Sequence, residues 1–175
     1  MKGTITRCAA EWVESTFGIE KWKEIVAQAG AADSHLLKMP GADVDDADVL
    51  KVFASTGKVL AMTPQDVYDG FGAYWCVVYA PKMYSTIVRR FRNSRELLLG
   101  LGDVHVKMTA MIPNAKPPQF EYAWANDRTL LVTYKSGRDL IDVYVGLARG
   151  VGKYFKEALT VTKEGTSQVR ITFPN

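Results

Sequence analysis

The sequence predicts an α+β fold, a helical N-terminal part followed by a C-terminal antiparallel sheet with one helix inserted among its strands. Three observations carry this. Apolar residues recur at helical spacing through the first two-thirds of the chain. The last third turns to short runs of β-forming residues separated by turn residues. One amphipathic stretch, Leu140 to Phe155, interrupts those runs. The 175 residues suit one sizeable domain, or at most two small subdomains sharing a core. The change of character divides the chain into a helical part over about residues 1–62 and a mixed part over about 63–175.

The elements follow in order. Ile5, Cys8, Trp12 and Val13 lie at helical spacing within Thr4 to Phe17, and Gly18 supplies a stop. Ile19 to Ala29 repeats the pattern with Trp22, Ile25 and Val26, and Gly30 follows. A loop is expected over 31–44, with Pro40-Gly41 inside it and His35 as a loop residue. Asp45, Asp46 and Asp48 then open a helix, where acids complement the positive end of the helix dipole. That helix carries Val49, Val52, Phe53 and Val59. Thr63-Pro64-Gln65-Asp66 combines a cap, a proline in the first turn and an acid three residues after the cap, so a helix should run from here to about Trp75. Beyond Pro81 a short basic helix is expected, then a long one from Ser94 to Met111, broken by Pro113 to Pro118. Gln119 to Ala125 and Thr129 to Ser136 read as strands about an Asn126-Asp127 turn. Val143, Leu147, Val151 and Phe155 give the inserted helix one apolar face, and Leu159 to Lys163 with Gln168 to Phe173 form a hairpin about Glu164-Gly165.

Composition excludes several classes. Lys and Arg number 22 against 19 Asp and Glu, and a net charge of +3 gives no support for a nucleic-acid binder. Cys8 and Cys76 cannot make a disulfide framework. The start of the chain lacks the apolar centre of a signal peptide, and the longest apolar run, Ala73 to Ala80, falls well short of the ~18 residues of a membrane span. A reduced, soluble, cytoplasmic protein is expected, with a membrane involved only through a larger parent protein. With His35 and His105 the only histidines, a zinc cluster lacks ligands. No phosphate loop, nucleophile elbow or distinctive carboxylate pair is present, and Ser136 lacks the partners of a triad, so a binding or sensor domain is expected rather than an enzyme.

Leu98, Leu101, His105, Met108 and Ile112 are spaced 3, 4, 3 and 4 along the long helix, an apolar stripe with one imidazole inside it. Two readings stand for that imidazole. It is a core histidine satisfied by a backbone carbonyl, or it is the single protein ligand of a haem iron, a role that suits a chain so poor in histidine. Tyr134, Ser136 and Arg138 lie two apart, so on a strand their side chains leave one face. Two hydroxyls and a guanidinium then converge, matching a carboxylate such as a haem propionate. A merely solvent-facing polar strand is the alternative.

Taken together these residues resemble the haem nitric-oxide/oxygen-binding (H-NOX) family, the gas-sensing relatives of the soluble guanylate cyclase haem domain. The start Met1-Lys2-Gly3-Thr4-Ile5 is similar to the family's opening, and Phe71-Gly72-Ala73-Tyr74-Trp75 to its FGxYW segment. Asp103-Val104-His105 matches the segment with the proximal histidine, and Tyr134-Lys135-Ser136-Gly137-Arg138 is the YxSxR motif intact. Pro117-Pro118 lies between the last two, and Gly146-Leu147 follows. The resemblance implies haem b with a ferrous iron, held between the helical and sheet parts. It implies His105 as the iron ligand, with Tyr134, Ser136 and Arg138 on the propionates. Pro118 would press on the porphyrin edge, and Ile5 and Leu147 on the distal side. Two departures are visible. The family's acid three residues before the histidine is replaced by Gly102, with Asp103 next to it, and the Cys-rich zinc site of some relatives is absent.

Oxygen-binding relatives carry a distal Tyr where the resemblance places Val143, which offers no donor. A net hydrogen bond of roughly 0.5–1.5 kcal/mol is a factor of several to about tenfold in affinity. Trp75 stands where polar relatives place a distal Asn. NO and CO are therefore the expected ligands, with no stable oxygen complex unless Tyr74 or Tyr144 turns inward. The expected mechanism is strain release: ligand binding loosens the iron–His105 bond, Pro118, Ile5 and Leu147 give up stored distortion, and the helical part rotates against the sheet part. The resemblance offers a histidine kinase, a cyclic-dinucleotide enzyme or a chemotaxis transducer as output, and the length leaves no room for an output domain. A haem-free protein-interaction or small-ligand module of the same fold is the rival.

Overall fold

The computed structural model describes residues 1–31, 35–110, 117–138 and 140–175. Helix α1 (Thr4–Phe17) turns into α2 (Ile19–Ala29) at Gly18, whose φ of 94° is a conformation that side-chain-bearing residues rarely adopt. The expected loop contains a 3-10 turn, Leu36–Lys38, that buries Leu37, and His35 is exposed just before it. The chain start is sewn onto this segment: Gly3 N–H donates to Ala42 O at 2.8 Å, and Val44 N–H to Met1 O at 2.8 Å. Helix α3 (Asp46–Leu60) begins at an Asp45 cap that accepts from Ala47 N–H at 2.7 Å.

Helix α4 (Pro64–Tyr74) begins with the capping box that Thr63 and Asp66 encode, Thr63 Oγ1 accepting from Asp66 N–H at 3.2 Å. The expected end near Trp75 is corrected. The helix continues as a π-helical turn, Trp75–Tyr79, and then as α5 (Ala80–Met83), passing through Pro81. A π turn shifts the hydrogen bonding by one residue, so Pro81 occupies a first-turn position where no N–H is required. The short helix α6 (Ser85–Val88) follows, then α7 (Ser94–Thr109), capped by Asn93 through Glu96 N–H at 2.8 Å. Met111, Ile112 and the expected break at Pro113 lie outside the described residues.

The sheet is antiparallel throughout, in the order β1 (Gln119–Asn126), β2 (Thr129–Lys135), β4 (Gln168–Thr172), β3 (Thr160–Glu164). Two hairpins are joined through β2 and β4, and α8 (Ile141–Phe155) crosses between them. The alternation of β-forming residues sets the faces: Leu130, Val132 and Tyr134 of β2, Val169 and Ile171 of β4 and Val161 of β3 are buried under α8 and Leu98 of α7.

This gives two cores. One fills the helical part with Cys8, Trp12, Val13, Trp22, Ile25, Val49, Val52 and Phe53, and takes in Val67, Phe71 and Tyr79 from α4 and the π turn. The other lies between sheet and helices. Helix α8 serves both, which corrects the expectation of a single apolar face: Val143 and Leu147 pack on the helical core, while Val151 and Phe155 belong to the sheet core. Helices α4 and α8 meet backbone to backbone. A Cβ on Gly72 would lie 2.2 Å from Gly146 O, one on Gly146 2.2 Å from Tyr68 O, and one on Gly150 2.2 Å from Gly72 O. Even one methyl group does not fit at any of these positions. Gly146→Ala should therefore lower the unfolding free energy by the ~1–3 kcal/mol typical of overpacking, seen as a lower chemical denaturation midpoint at an unchanged denaturant slope.

Candidate functional site

His105 lies toward the end of α7, half-buried, beside Phe120 of β1 with ring centroids 5.8 Å apart. Its Nδ1 is 2.9 Å from the Leu101 carbonyl oxygen, one turn back on the same helix. A carbonyl only accepts, so Nδ1 carries the proton and Nε2 keeps its lone pair. Burial pushes the imidazole below its ordinary value, and the bond to Leu101 offsets this only in part. The group is thus a neutral, oriented imidazole, the form that ligates a metal. The expected apolar stripe is only partly realised: Leu98 is fully buried and Leu101 half-buried, but Met108 is exposed, and Ile112 lies outside the described residues.

The other candidate residues fall into three places. Ile5 of α1, Trp75 of the π turn, and Val143 and Leu147 of α8 all pack on the helical core, and Tyr74 joins them. Tyr134 is in the sheet core, with Phe120 5.8 Å from its ring and Tyr144 stacked on it at 5.8 Å. Pro118 is half-buried immediately before β1. Ser136 and Arg138 lie beyond β2, which ends at Lys135, so the expectation that Tyr134, Ser136 and Arg138 share a strand face is corrected. The chain turns at Gly137 and Arg138, and Ser136 Oγ accepts from Arg138 N–H at 3.2 Å. The two residues belong to a turn between β2 and α8, tied together by the serine hydroxyl.

Sequence reasoning missed three features of this region. Asp46, read only as a helix-start acid, accepts from Arg138 Nε at 2.6 Å and from the Met1 amino group at 2.5 Å. Burial alone would raise its carboxyl, but the bonds from the amino group and from Arg138 outweigh this and hold it below the ordinary carboxylate range. Thr4 Oγ1 lies 3.0 Å from the Tyr79 hydroxyl and 3.1 Å from that of Tyr84, fastening the start of α1, next to Ile5, to the π-turn segment. Tyr144 is buried in the sheet core, away from the cluster that holds Ile5, Trp75 and Leu147. Its hydroxyl has no hydrogen-bond partner among the described residues. The hydroxyl positions of Thr4, Tyr79 and Tyr84 depend on tertiary packing that carries no local signal.

A two-core α+β fold with one oriented imidazole and an intact YxSxR sequence fits the class of haem-binding sensor domains. The chain belongs to the haem-NO-binding family, whose model matches residues 2–163. The family comprises H-NOX domains, haem-based gas-binding sensors. No match is found among curated proteins. Solved structures share the fold. The S. oneidensis H-NOX protein in the Fe(II)NO state aligns with a TM-score of 0.86 at 18% identity, over 100% of each chain. The unliganded Fe(II) H-NOX protein from K. algicida gives 0.83 at 19% identity, covering 100% of this chain and 97% of that one. An oxygen-binding H-NOX domain related to soluble guanylate cyclases, in its oxygen complex, gives 0.80 at 23% identity, covering 100% and 96%. No helix among the described residues is long and apolar enough to cross a membrane.

The His105 environment has a pH consequence. The imidazole titrates near 6.5 when unfolded and lower when folded, so the unfolded chain binds the proton more readily. Stability from this group is whole above 6.5 and falls as the pH drops through that value toward the folded one. Thermal melting of the haem-free protein from about pH 8 to about pH 5.5 should show the decline, and His105→Gln should flatten it.

Proposed function

We propose that this chain is a haem-based sensor of nitric oxide, with CO as a second ligand, that passes its signal to a separate or fused output protein. The observation that carries this is the His105 imidazole, whose Nδ1 proton is spent on Leu101 so that Nε2 is the ligating atom. Haem b, when bound, would be held by His105 and would supply a ferrous iron able to take a diatomic gas. The Ser136–Arg138 turn beside Tyr134, with a guanidinium and two hydroxyls close in the chain, fits a group bearing carboxylates.

In this reading Tyr134, Ser136 and Arg138 hold the propionates, and Pro118 presses on one porphyrin edge. Ile5 and Leu147 press from the distal side, and Trp75 and Val143 line the space where the gas sits. Val143 gives a bound gas no hydrogen bond, which disfavours oxygen relative to NO. His105, as the iron's protein ligand, would tie α7 to the cofactor. Arg138, bonded to Asp46, links the carboxylate end of the site to α3, so a shift at the site reaches the helical part. Residues 1–175 act as one sensing unit in which the helical part, about 1–62, moves against the pocket-and-sheet part, about 63–175. A histidine kinase, a cyclic-dinucleotide enzyme or a chemotaxis transducer in the cytoplasm would receive the signal.

Absorption spectra of the ferrous protein under argon, air, CO and NO test the proposal. CO and NO should each shift the Soret band, air should give no stable oxygen complex, and His105→Gly should abolish the argon spectrum. A persistent ferrous–oxygen spectrum would overturn the ligand preference. Colourless protein that takes up no added haem would overturn the sensor reading.

A further inference from the structure

We propose that the cleft between α6 and α7 binds a small amphipathic carboxylate, with its apolar tail among Ile87, Phe91, Val104 and Met108 and its head on Arg90 and Lys107. The cleft has a volume of about 540 Å³, and Gly100 and Asp103 complete its lining. That is the size at which a fold takes up one small molecule. Gly100 forms the floor: a Cβ there would lie 2.7 Å from the Phe91 ring, so the glycine lets that ring settle against the helix. Gly100, Asp103, Val104, Lys107 and Met108 share one face of α7. Leu98 and Leu101 pack on the sheet core from the other face, the side on which His105 meets Phe120. The cleft is therefore separate from the haem reading and does not depend on it. Met108, which fails to join the buried stripe, lines this cleft instead.

The charges at the rim select the head group. The side chains of Arg90 and Lys107 make no ion pair or hydrogen bond among the described residues. Neighbouring arginines are engaged. Arg92 donates to Glu96 at 2.9 Å, and Arg95 donates to Asp127 O at 2.8 Å and lies over the Trp124 ring. Two idle cations at the mouth of an apolar cleft suit one anion, and a guanidinium matches a carboxylate bidentately. Asp103 is likewise unpaired among the described residues and shares the rim. Two cations and one acid leave a single positive charge in excess, which favours a monoanion over a dianion. A free small molecule also fits better than a protein partner. The apolar surface is confined to the cleft and ringed by charge, whereas the core of a protein interface is depleted of charge.

The test titrates sodium octanoate, below its micelle-forming concentration, into the full chain with isotope-labelled Ile, Val and Met methyl groups. The methyl signals of Ile87, Val104 and Met108 should shift and saturate together. Val106, on the same helix but 61% exposed and outside the cleft, should not move. Replacing both cations, Arg90→Gln with Lys107→Gln, should weaken octanoate binding about tenfold and leave octanol binding unchanged. Asp103→Asn should tighten octanoate binding about twofold, because a repelling charge is gone. Arg89→Gln, at an exposed arginine that does not line the cleft, should change nothing. In the wild-type chain alone, octanol that binds as tightly as octanoate overturns the proposal, as do shifts that include Val106, never saturate or are confined to Ile5 and Val143. Unchanged octanoate affinity in the double variant overturns it as well. A glutamate-rich amphipathic peptide that moves the same methyl signals at lower concentration than octanoate assigns the cleft to a protein partner, and so overturns it too.

Discussion

The backbone contact between α4 and α8 is the constraint from which the rest of the structure follows. Gly72, Gly146 and Gly150 let the two helices approach until carbonyl oxygens occupy the space where side chains would be. Close approach gives dense packing without long side chains at the crossing, and it leaves α8 between two cores. Residues 143 and 147 look one way and residues 144, 148 and 151 the other, because the seam fixes the rotation of the helix. Several of the candidate site residues are positioned relative to that seam. Trp75 continues α4, Val143 and Leu147 lie on α8, and the Ser136–Arg138 turn feeds directly into it.

At His105 a structural bond and the proposed ligand role are compatible. A core histidine satisfied by a carbonyl and a metal ligand looked like alternatives. The bond to Leu101 is the carbonyl satisfaction, and by taking the Nδ1 proton it also prepares Nε2. Half-burial against Phe120 keeps the ring neutral without sealing it off. Tyr144 shows the opposite case, a buried polar atom with no structural bond among the described residues.

Local chemistry was legible in the sequence wherever it is self-contained. Thr63-Pro64-Gln65-Asp66 forms the capping box it encodes, and the C-terminal hairpin turns where Glu164-Gly165 falls, with Gly165 at a φ of 64°. The α+β class followed from the switch in periodicity near residue 119. What failed needed tertiary information. Pro81 reads as a helix stop, but the π turn before it moves it into a tolerated position. Alternate spacing at Tyr134, Ser136 and Arg138 implies a shared face only if the strand lasts, and it ends at Lys135. Tyr144 follows Val143 by one residue, so no pattern along the chain separates the two until the neighbours of α8 are known. The family motif was legible because it is a set of residue identities at fixed spacing, independent of whether the backbone there is strand or turn.

The link between Asp46 and Arg138 completes the path from site to helices, and its energetics define its role. Both partners are partly exposed, with side-chain exposures of 42% for Asp46 and 29% for Arg138, so solvent screens the pair and it adds little to stability. Its geometry is nonetheless specific: one carboxylate joins the chain's amino group, the first turn of α3 and the guanidinium of the YxSxR turn. A weak bond with a defined direction suits alignment better than cohesion. It holds Arg138 in register with the helical part at small energetic cost. Nε is the atom on Asp46, so the guanidinium is tied to the first turn of α3. The strong joint of the molecule is the glycine seam, and the adjustable one is this ion pair.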